Sequence, residues 1–265
     1  MAKRIITSLV GLIVFFAVIY AGNPIFTVTI CIVTIGMLTE LYKTIKSNTE
    51  LTVVGYASAL LLLASIIFGS VSLEVATLAS ICVYLAVMVK LHTTVTYKDV
   101  GAHALLTFFI TTFFGTMIRI YNDFGVYAVI LVFICAWTTD TGAYFTGKAF
   151  GRHKLIPKVS PKKTVEGAFG GVITASLCCL LYLFILNSLE ITHMSDLGYI
   201  SIFILGVCAS LFSQLGDLVA SSIKRDCAAK DFGNILPGHG GILDRFDSVI
   251  YITPVIYYFL AVVAK

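Results

Sequence analysis

Residues 222–247 read SIKRDCAAKDFGNILPGHGGILDRFD and separate two long apolar segments of the chain. This stretch holds four basic residues, four acidic residues, one histidine and four glycines, whereas residues 199–215 and 248–264 on either side carry no charge. Apolar segments of about this length favour membrane-spanning helices. A simple connection between two helices does not need so many charged residues, so we interpret 222–247 as a functional site held between membrane helices.

The composition of the whole chain agrees with a membrane protein. Its 265 residues are 58% hydrophobic and 12% charged, with a mean hydropathy of +0.98, whereas soluble domains carry roughly a quarter charged residues. No hydrophilic run is long enough for a soluble domain, so residues 1–265 are predicted to form a single polytopic membrane domain. The net charge of +4 comes from basic residues in short loops, which favours anionic lipids or phosphates over nucleic acid as ligands.

Continuous apolar segments predict the fold class, an all-α integral membrane protein with about nine transmembrane helices. Strands of a membrane β-barrel would instead alternate apolar and polar residues. The first segment follows Lys3 and Arg4 and lacks a convincing signal-peptide cleavage site, so it is predicted to be retained as a helix. The predicted spans are residues 5–21, 25–42, 52–69, 73–91, 102–119, 124–147, 166–187, 199–223 and 248–264.

The distribution of Lys and Arg predicts the orientation. With a cytoplasmic N-terminus and nine crossings, 16 of the 18 basic residues fall on the inner side, as the positive-inside rule requires, and the C-terminus lies outside. The strong polar clusters begin at Trp137, so residues 121–265 are predicted to carry the catalytic motifs and residues 1–120 mainly scaffold and dimer helices. Glu40 and Glu74, near the ends of their spans, are assigned no role.

The first polar cluster surrounds Asp140. A carboxylate inside an apolar span costs roughly 2.5–3.5 kcal/mol, so Asp140 should face a polar cavity, an ion or a cationic side chain. Tyr144 and Gly147 follow at i+4 and i+7 and therefore share its helix face. A helix-packing face with a paired aspartate is the structural alternative.

The second polar cluster reads SPKKTVEG and begins at Ser160. Ser160 or Thr164 can cap the helix that follows, and Pro161 suits its first turn. Acidic residues normally compensate a helix N-terminus, so Lys162 and Lys163 at this place suggest that a bound ligand supplies the anion. A basic loop on the inner face is the simpler alternative.

The third cluster joins Asp217 to the stretch at 222–247. Asp217 lies two helical turns before Lys224 on roughly one face, and Asp244 and Asp247 are three residues apart at the start of the last span. Three carboxylates that converge in a membrane cavity need cations, and hard oxygen ligands suit Mg2+. These three aspartates are therefore the predicted metal ligands.

Glycines in the same stretch predict an anion site. Gly238, Gly240 and Gly241 allow backbone N–H groups to approach a phosphate, and His239 between them fits a turn residue, a phosphate contact or an acid–base group. Together the clusters supply acids for a metal and basic groups for phosphates, which are the requirements of phosphoryl or nucleotidyl transfer. The sequence contains neither a G-x-x-x-x-G-K-[ST] loop nor a kinase signature.

The run from Ser222 to Asp247 resembles the complete signature of the phosphatidate cytidylyltransferases, also called CDP-diacylglycerol synthases. The SPKKTVEG and Asp140 segments are similar to that family as well, so the resemblance covers about residues 137–250 by motif and the whole chain by layout. It implies the reaction of CTP with phosphatidate to give CDP-diacylglycerol and pyrophosphate in phospholipid biosynthesis. It also implies Mg2+, a second cation for which K+ is the candidate, and a homodimer in the bacterial inner membrane with its active site facing the cytoplasm.

The resemblance further implies roles for individual residues. The catalytic residues are Asp217, Lys224, Arg225, Asp244 and Asp247, of which the three aspartates are the metal ligands. The substrate-binding residues are Asp140, Ser160, Lys162, Lys163, Thr164, Glu166, Ser222, Lys230, Asp231, His239, Gly240, Gly241 and Arg245. The lysines and arginines would neutralise phosphates, and the phosphate nucleophile needs no strong general base because it is already ionised near neutral pH.

Two other functions remain open at the level of sequence. A CTP-dependent polyprenol or phytol kinase shares a similar SPKKTxEG segment but is not expected to carry the full run at 222–247. A transporter or lipid scramblase would be expected to show internal repeats or paired broken helices. The sequence shows no internal repeat, and its polar residues gather on one side of the membrane.

Overall fold

The computed structural model describes residues 2–190, 198–235 and 240–263, with side chains from residue 10 onward. Within these ranges the chain forms eight helices and a hairpin of two short strands. The helices are α1 (Ala2–Tyr20), α2 (Asn23–Thr44), α3 (Thr49–Phe68), α4 (Leu73–Lys90), α5 (Tyr97–Phe150), α6 (Val165–Ser188), α7 (Tyr199–Asp226) and α8 (Leu243–Val263). The strands β1 (Lys154–Ile156) and β2 (Ser160–Thr164) lie between α5 and α6 and pair antiparallel.

The predicted class, an all-α integral membrane protein, is confirmed. Helices α2 to α8 are each long and apolar enough to cross a membrane. The predicted spans 102–119 and 124–147 are joined in α5, a run of 54 residues that leaves helical geometry at Gly125, where φ is 77°. The number of crossings and their orientation stay predictions.

The connection between α5 and α6 differs from the sequence prediction. Of the two proposed caps, Thr164 is the one that caps α6, because its hydroxyl accepts a hydrogen bond from Gly167 N at 3.1 Å. Ser160 instead begins β2, and the placement of Pro161 in a first helical turn was wrong because Pro161 also lies in this strand. The basic segment before α6 is therefore an extended hairpin.

Internal contacts divide the chain into two compact units. The first unit consists of Met1–Arg119 and Cys227–Arg245, and the second unit consists of Ile120–Asp226 and Phe246–Lys265. Most of the charged stretch at 222–247 therefore packs with the N-terminal helices. The predictions of a single domain and of a scaffold role for residues 1–120 are not tested by this division.

The core of the first unit includes a buried polar network among α2, α4 and α5. The hydroxyl of Tyr42 lies 2.7 Å from Thr107 Oγ1, and the hydroxyl of Tyr84 lies 2.9 Å from His103 Nδ1. The rings of Tyr42 and His103 stack with their centroids 4.3 Å apart. Hydrogen bonds of this kind satisfy polar groups that an apolar helix bundle would otherwise leave without water.

Close helix packing in the second unit depends on glycines. A Cβ added to Gly171 of α6 would lie 2.9 Å from the Thr139 carbonyl oxygen of α5, and one added to Gly206 of α7 would lie 2.7 Å from Ser176 Cα of α6. Small residues at such contacts let helix backbones approach each other in membranes. The glycines thereby set the spacing of α5, α6 and α7, the helices that carry Asp140, Glu166 and Asp217.

We expect Gly171→Ala to destabilise the protein by about 1–3 kcal/mol, because the new methyl group would overlap a backbone oxygen that cannot rotate away. Thermal unfolding of the purified protein in detergent would show a lowered Tm. Gly101→Ala is the matched control, since a Cβ at that helical glycine meets nothing within 4 Å. Equal Tm values for the two variants would contradict the packing argument.

Candidate active site

A cavity of about 350 Å3 opens in the second unit between the C-terminal part of α5, the hairpin, the start of α6 and the later part of α7. Its volume falls within the range of roughly 300–1,000 Å3 that is typical of small-molecule sites. The polar residues that line it are Asp140, Tyr144, Lys148, Lys162, Lys163, Thr164, Gln214 and Asp217. The structure therefore brings the first and second polar clusters of the sequence together with Asp217.

An ion pair crosses this cavity from the hairpin to α7. Lys163 Nζ lies 2.6 Å from Asp217 Oδ2, and the two side chains are 25% and 30% exposed. Ser221, one turn after Asp217, donates its hydroxyl to the other carboxylate oxygen at 3.3 Å. Because the pair is half-buried, its electrostatic attraction is less screened than that of a surface pair. Asp217 and Lys163, predicted for metal and phosphate, are thus held next to each other.

Asp247 joins this group from the start of α8. At Gly216, a Cβ would lie 2.7 Å from the Asp247 carbonyl oxygen, so α7 and α8 approach closely beside both carboxylates. The half-buried Asp247 lies close enough to Asp217, Asp140 and Lys224 to interact with their charges. Its Oδ1 atom also accepts a hydrogen bond from Ser248 N at 2.8 Å. Three of the predicted acidic site residues therefore share one region of the second unit.

The end of α7 supplies further predicted site residues. Ser222 and Lys224 are half-buried there, while Arg225 is exposed. Arg225 donates its Nε–H to the carbonyl oxygen of Val159, 3.3 Å away in the hairpin turn. Together with the ion pair at Lys163, this contact ties the hairpin to α7.

Glu166 has a clear structural role in the turn between α5 and the hairpin. Its carboxylate accepts hydrogen bonds from the backbone N–H groups of Arg152 and His153 and lies 2.6 Å from His153 Nδ1. These contacts hold the end of α5 against the start of α6. These contacts do not test the predicted substrate-binding role of Glu166. The predicted substrate-binding residue Ser160 lies half-buried in β2.

The other predicted site residues lie in the first unit, on the loop before α8 and in the first turn of that helix. Asp244 Oδ2 accepts hydrogen bonds from Phe232 N at 2.8 Å and from Gly241 N at 3.1 Å, so the loop folds around this carboxylate. Gly240 has a positive φ of 80°, a conformation that glycine adopts without strain. The side chains of Lys230, Asp231 and Arg245 are exposed. His239 lies outside the described residues.

Glu40 is a residue of this region that the sequence analysis missed. It is 2% exposed, and its Oε2 atom accepts a hydrogen bond from Leu243 N at 2.9 Å. The available signal was an acidic residue in an apolar span, but Glu40 was assigned no role because it lies near the end of that span. Its partners lie about two hundred residues later in the chain, so one sequence could not reveal the contact.

A family model described as the cytidylyltransferase family matches residues 2–263. The chain belongs to this family. Phosphatidate cytidylyltransferase of Bacillus subtilis (strain 168) is 35% identical over 98% of this chain and 98% of its own length. Proteins of the same name from Haemophilus influenzae (strain ATCC 51907) and Thermotoga maritima (strain ATCC 43589) are 43% and 34% identical, over 51% and 61% of this chain and 46% and 59% of their own.

Mg2+ fits the chemistry of the acidic residues in this cytidylyltransferase-family chain. Asp140, Asp217 and Asp247 carry oxygen atoms of the kind that Mg2+ prefers as ligands, and Asp247 has two negative neighbours and one positive neighbour, Lys224. Within neither unit do the described residues contain three His, Cys, Asp or Glu side chains already arranged around a metal position. The predicted ligand Asp244 belongs to the first unit, so its joint coordination with Asp217 and Asp247 stays a prediction.

We expect the ion pair between Lys163 and Asp217 to appear as energetic coupling. Lys163→Met should lower the Tm, because it leaves the Asp217 carboxylate without its cation, whereas the double variant with Asp217→Asn should lose less than the sum of the single changes. A coupling of about 0.5–3 kcal/mol is expected for residues in contact. Chemical unfolding of all four proteins in detergent measures it, with the exposed Lys162→Met as control; additive effects would contradict the pairing.

Proposed function

We propose that this chain is a nucleotidyltransferase that converts CTP and phosphatidate into CDP-diacylglycerol and pyrophosphate, a step of phospholipid biosynthesis. The observation that carries the proposal is the similarity to phosphatidate cytidylyltransferase of Bacillus subtilis over 98% of both chains. The cavity of the second unit supports it independently, because carboxylates and lysines face each other there among apolar helices. A site that must hold a cation together with several phosphates needs both kinds of group.

In the proposed reaction, a phosphate oxygen of phosphatidate attacks the α-phosphorus of CTP. A new P–O bond forms, the bond between the α-phosphorus and the bridging oxygen breaks, and pyrophosphate leaves with that electron pair. Lys148, Lys162 and Lys163 line the cavity where the phosphates would bind, and they would offset the negative charge that accumulates in the transition state. Lys224 and Arg225 at the end of α7 extend this positive region.

Asp217, Asp247 and Asp140 would hold Mg2+ in the second unit, and Asp244, in the first turn of α8, is proposed as a further ligand on the family resemblance alone. When bound, Mg2+ supplies electrostatic stabilisation of the phosphate oxygens. A second cation such as K+ is proposed on the family resemblance alone. The chain's own contribution is to keep the acidic side chains in place, which Ser221 does for Asp217 and the N–H of Ser248 does for Asp247.

The helices and the distribution of basic residues support a proposed location for the enzyme. The chain is an integral membrane protein with seven helices of membrane-spanning character among the described residues. We propose that it is a homodimer in the bacterial cytoplasmic membrane and that the cavity faces the cytoplasm. The orientation is supported by 16 of the 18 basic residues, which fall on the cytoplasmic side of the proposed topology.

The kinase alternative gains no support from the comparisons. The three relatives described above all carry the name phosphatidate cytidylyltransferase. A CTP-dependent lipid kinase would release CDP and a phosphorylated lipid alcohol, so the products distinguish the two reactions.

Pyrophosphate release by the purified protein in detergent tests the proposed function. We expect release to require both CTP and phosphatidate, and we expect Asp217→Asn and Asp244→Asn each to reduce it by about 100-fold or more, the scale for losing a charge-stabilising group at a reacting centre. Asp99→Asn is the matched control, because Asp99 is exposed and only caps the start of α5 through Thr96. Formation of CDP in place of pyrophosphate would replace this proposal with the kinase reaction.

We expect chelation by EDTA to abolish pyrophosphate release and added Mg2+ to restore it, because the carboxylates of the cavity need a cation to approach phosphates. The Tm should be followed in the same samples to show that the protein stays folded. Mg2+ should also raise the Tm of the wild type more than that of Asp217→Asn, since binding to the folded state stabilises it. Undiminished turnover in EDTA would exclude a required divalent cation.

A further inference from the structure

One face of α2 carries three residues that contact the loop before α8. Gly36, Glu40 and Thr44 are spaced at four-residue intervals, which places them on the same side of the helix. A Cβ on Gly36 would lie 3.0 Å from Ile242 Cδ1, and the Thr44 hydroxyl lies 3.1 Å from the carbonyl oxygen of Phe232. The first unit therefore contains a continuous contact between α2 and both ends of this loop.

The carboxylate of Glu40 is at the centre of that contact. Its Oε2 atom accepts the Leu243 N–H at the start of α8, where a helix has unsatisfied backbone donors. Gly233 and Gly241 both lie against the carboxylate, and a Cβ on Gly241 would lie 2.5 Å from Oε2. Two segments of the loop thus close around one buried side chain from α2.

The same loop also fixes Asp244. The donors to Asp244 Oδ2 are the backbone N–H groups of Phe232 and Gly241. Phe232 precedes Gly233, which lies against Glu40, and Gly241 itself lies against Glu40. The position of the Asp244 carboxylate therefore depends on backbone groups that Glu40 holds in place.

We propose that Glu40 is a positioning residue for the reaction. Its carboxylate holds the backbone of the loop before α8, and that backbone in turn orients the Asp244 carboxylate. This inference rests on the proposed function, because it assumes that Asp244 acts at the reacting centre. Glu40 contacts the loop backbone, and it acts on the reaction through Asp244.

The role requires the shape of the side chain and one acceptor oxygen. Among the residues that the structure describes, the buried Oε1 atom of Glu40 has no hydrogen-bond partner, whereas Oε2 has one. Glutamine retains the volume and one acceptor oxygen, so Glu40→Gln should preserve the loop. Glu40→Ala removes both the acceptor and the group that the glycines enclose. If the reaction instead needed the negative charge of Glu40, both variants would lose activity to the same extent.

The experiment compares wild type, Glu40→Gln, Glu40→Ala and the control Glu74→Ala as full-length proteins in detergent. Glu74 is an exposed acid near the end of another apolar span. We expect Glu40→Ala to lower kcat by about 10- to 100-fold, the range for partners that hold catalytic ligands, and to raise the Mg2+ concentration needed for half-maximal activity. Glu40→Gln and Glu74→Ala should keep most of the wild-type kcat and the wild-type Mg2+ dependence.

Hydrogen exchange measured by mass spectrometry provides a readout that does not need turnover. In Glu40→Ala, peptides that contain Phe232 and Leu243 should exchange faster, while peptides from α6 and α7 should not change, because the loss of order is confined to the loop. If Glu40→Ala does not fold, Thr44→Val replaces it as the variant that tests the inference. It removes the hydroxyl contact to Phe232 with little change in volume, and it should speed exchange at Phe232 and lower kcat.

Several results would overturn the inference. The first is a wild-type kcat or a wild-type rate of loop exchange in folded Glu40→Ala. The second is a loss of kcat in Glu40→Gln that equals the loss in Glu40→Ala. Where Glu40→Ala does not fold, unchanged exchange at Phe232 or an unchanged kcat in Thr44→Val would overturn the inference. If the wild-type protein released no pyrophosphate, the proposed function would be wrong. The hydrogen-exchange data would still show whether Glu40 orders the loop.

Discussion

The cost of placing carboxylates among apolar helices is the constraint on which the rest of this structure depends. A protein that is 58% hydrophobic has little water available between its helices, so each acid needs a donor or a cation. Asp217 is matched by a lysine and a hydroxyl, whereas Asp244 is matched by two backbone N–H groups. The two solutions have different consequences for function.

A lysine side chain can rotate away from its carboxylate partner, whereas backbone N–H groups are held in place by the fold. Lys163 reaches Asp217 from a hairpin through a flexible side chain, so rotation of that side chain would break the ion pair without any change in the helices. The donors to Asp244 are part of the loop itself, and they define where its carboxylate points. The second unit therefore supplies adaptable charge, and the first unit supplies a rigidly held acid.

The sequence predicted those features that are encoded locally. Helix positions follow from continuous apolar segments, and the cavity residues Asp140 and Tyr144 were recognisable from their four-residue spacing within one apolar span. The hairpin was missed because Pro161 and the capping hydroxyls of Ser160 and Thr164 also suit a helix start, and five strand residues leave no clear alternation. The packing of residues 227–245 with the first unit depends on contacts between distant segments, which one sequence does not reveal. Glu40 was missed for the same reason. Its four-residue spacing from Gly36 and Thr44 matters because all three contact the loop before α8, which lies far away in the sequence.

The hydrogen bond between Glu40 and Leu243 has a consequence for biosynthesis. It joins residues 203 positions apart, and at a synthesis rate of about 5–20 residues per second the second partner emerges about 10–40 s after the first. During that interval α2 carries an acid whose loop partners do not yet exist, within a membrane that disfavours it. Until residues 227–245 have been made, the first unit therefore lacks the segment that contacts Glu40, and a fragment ending before residue 227 would never contain it.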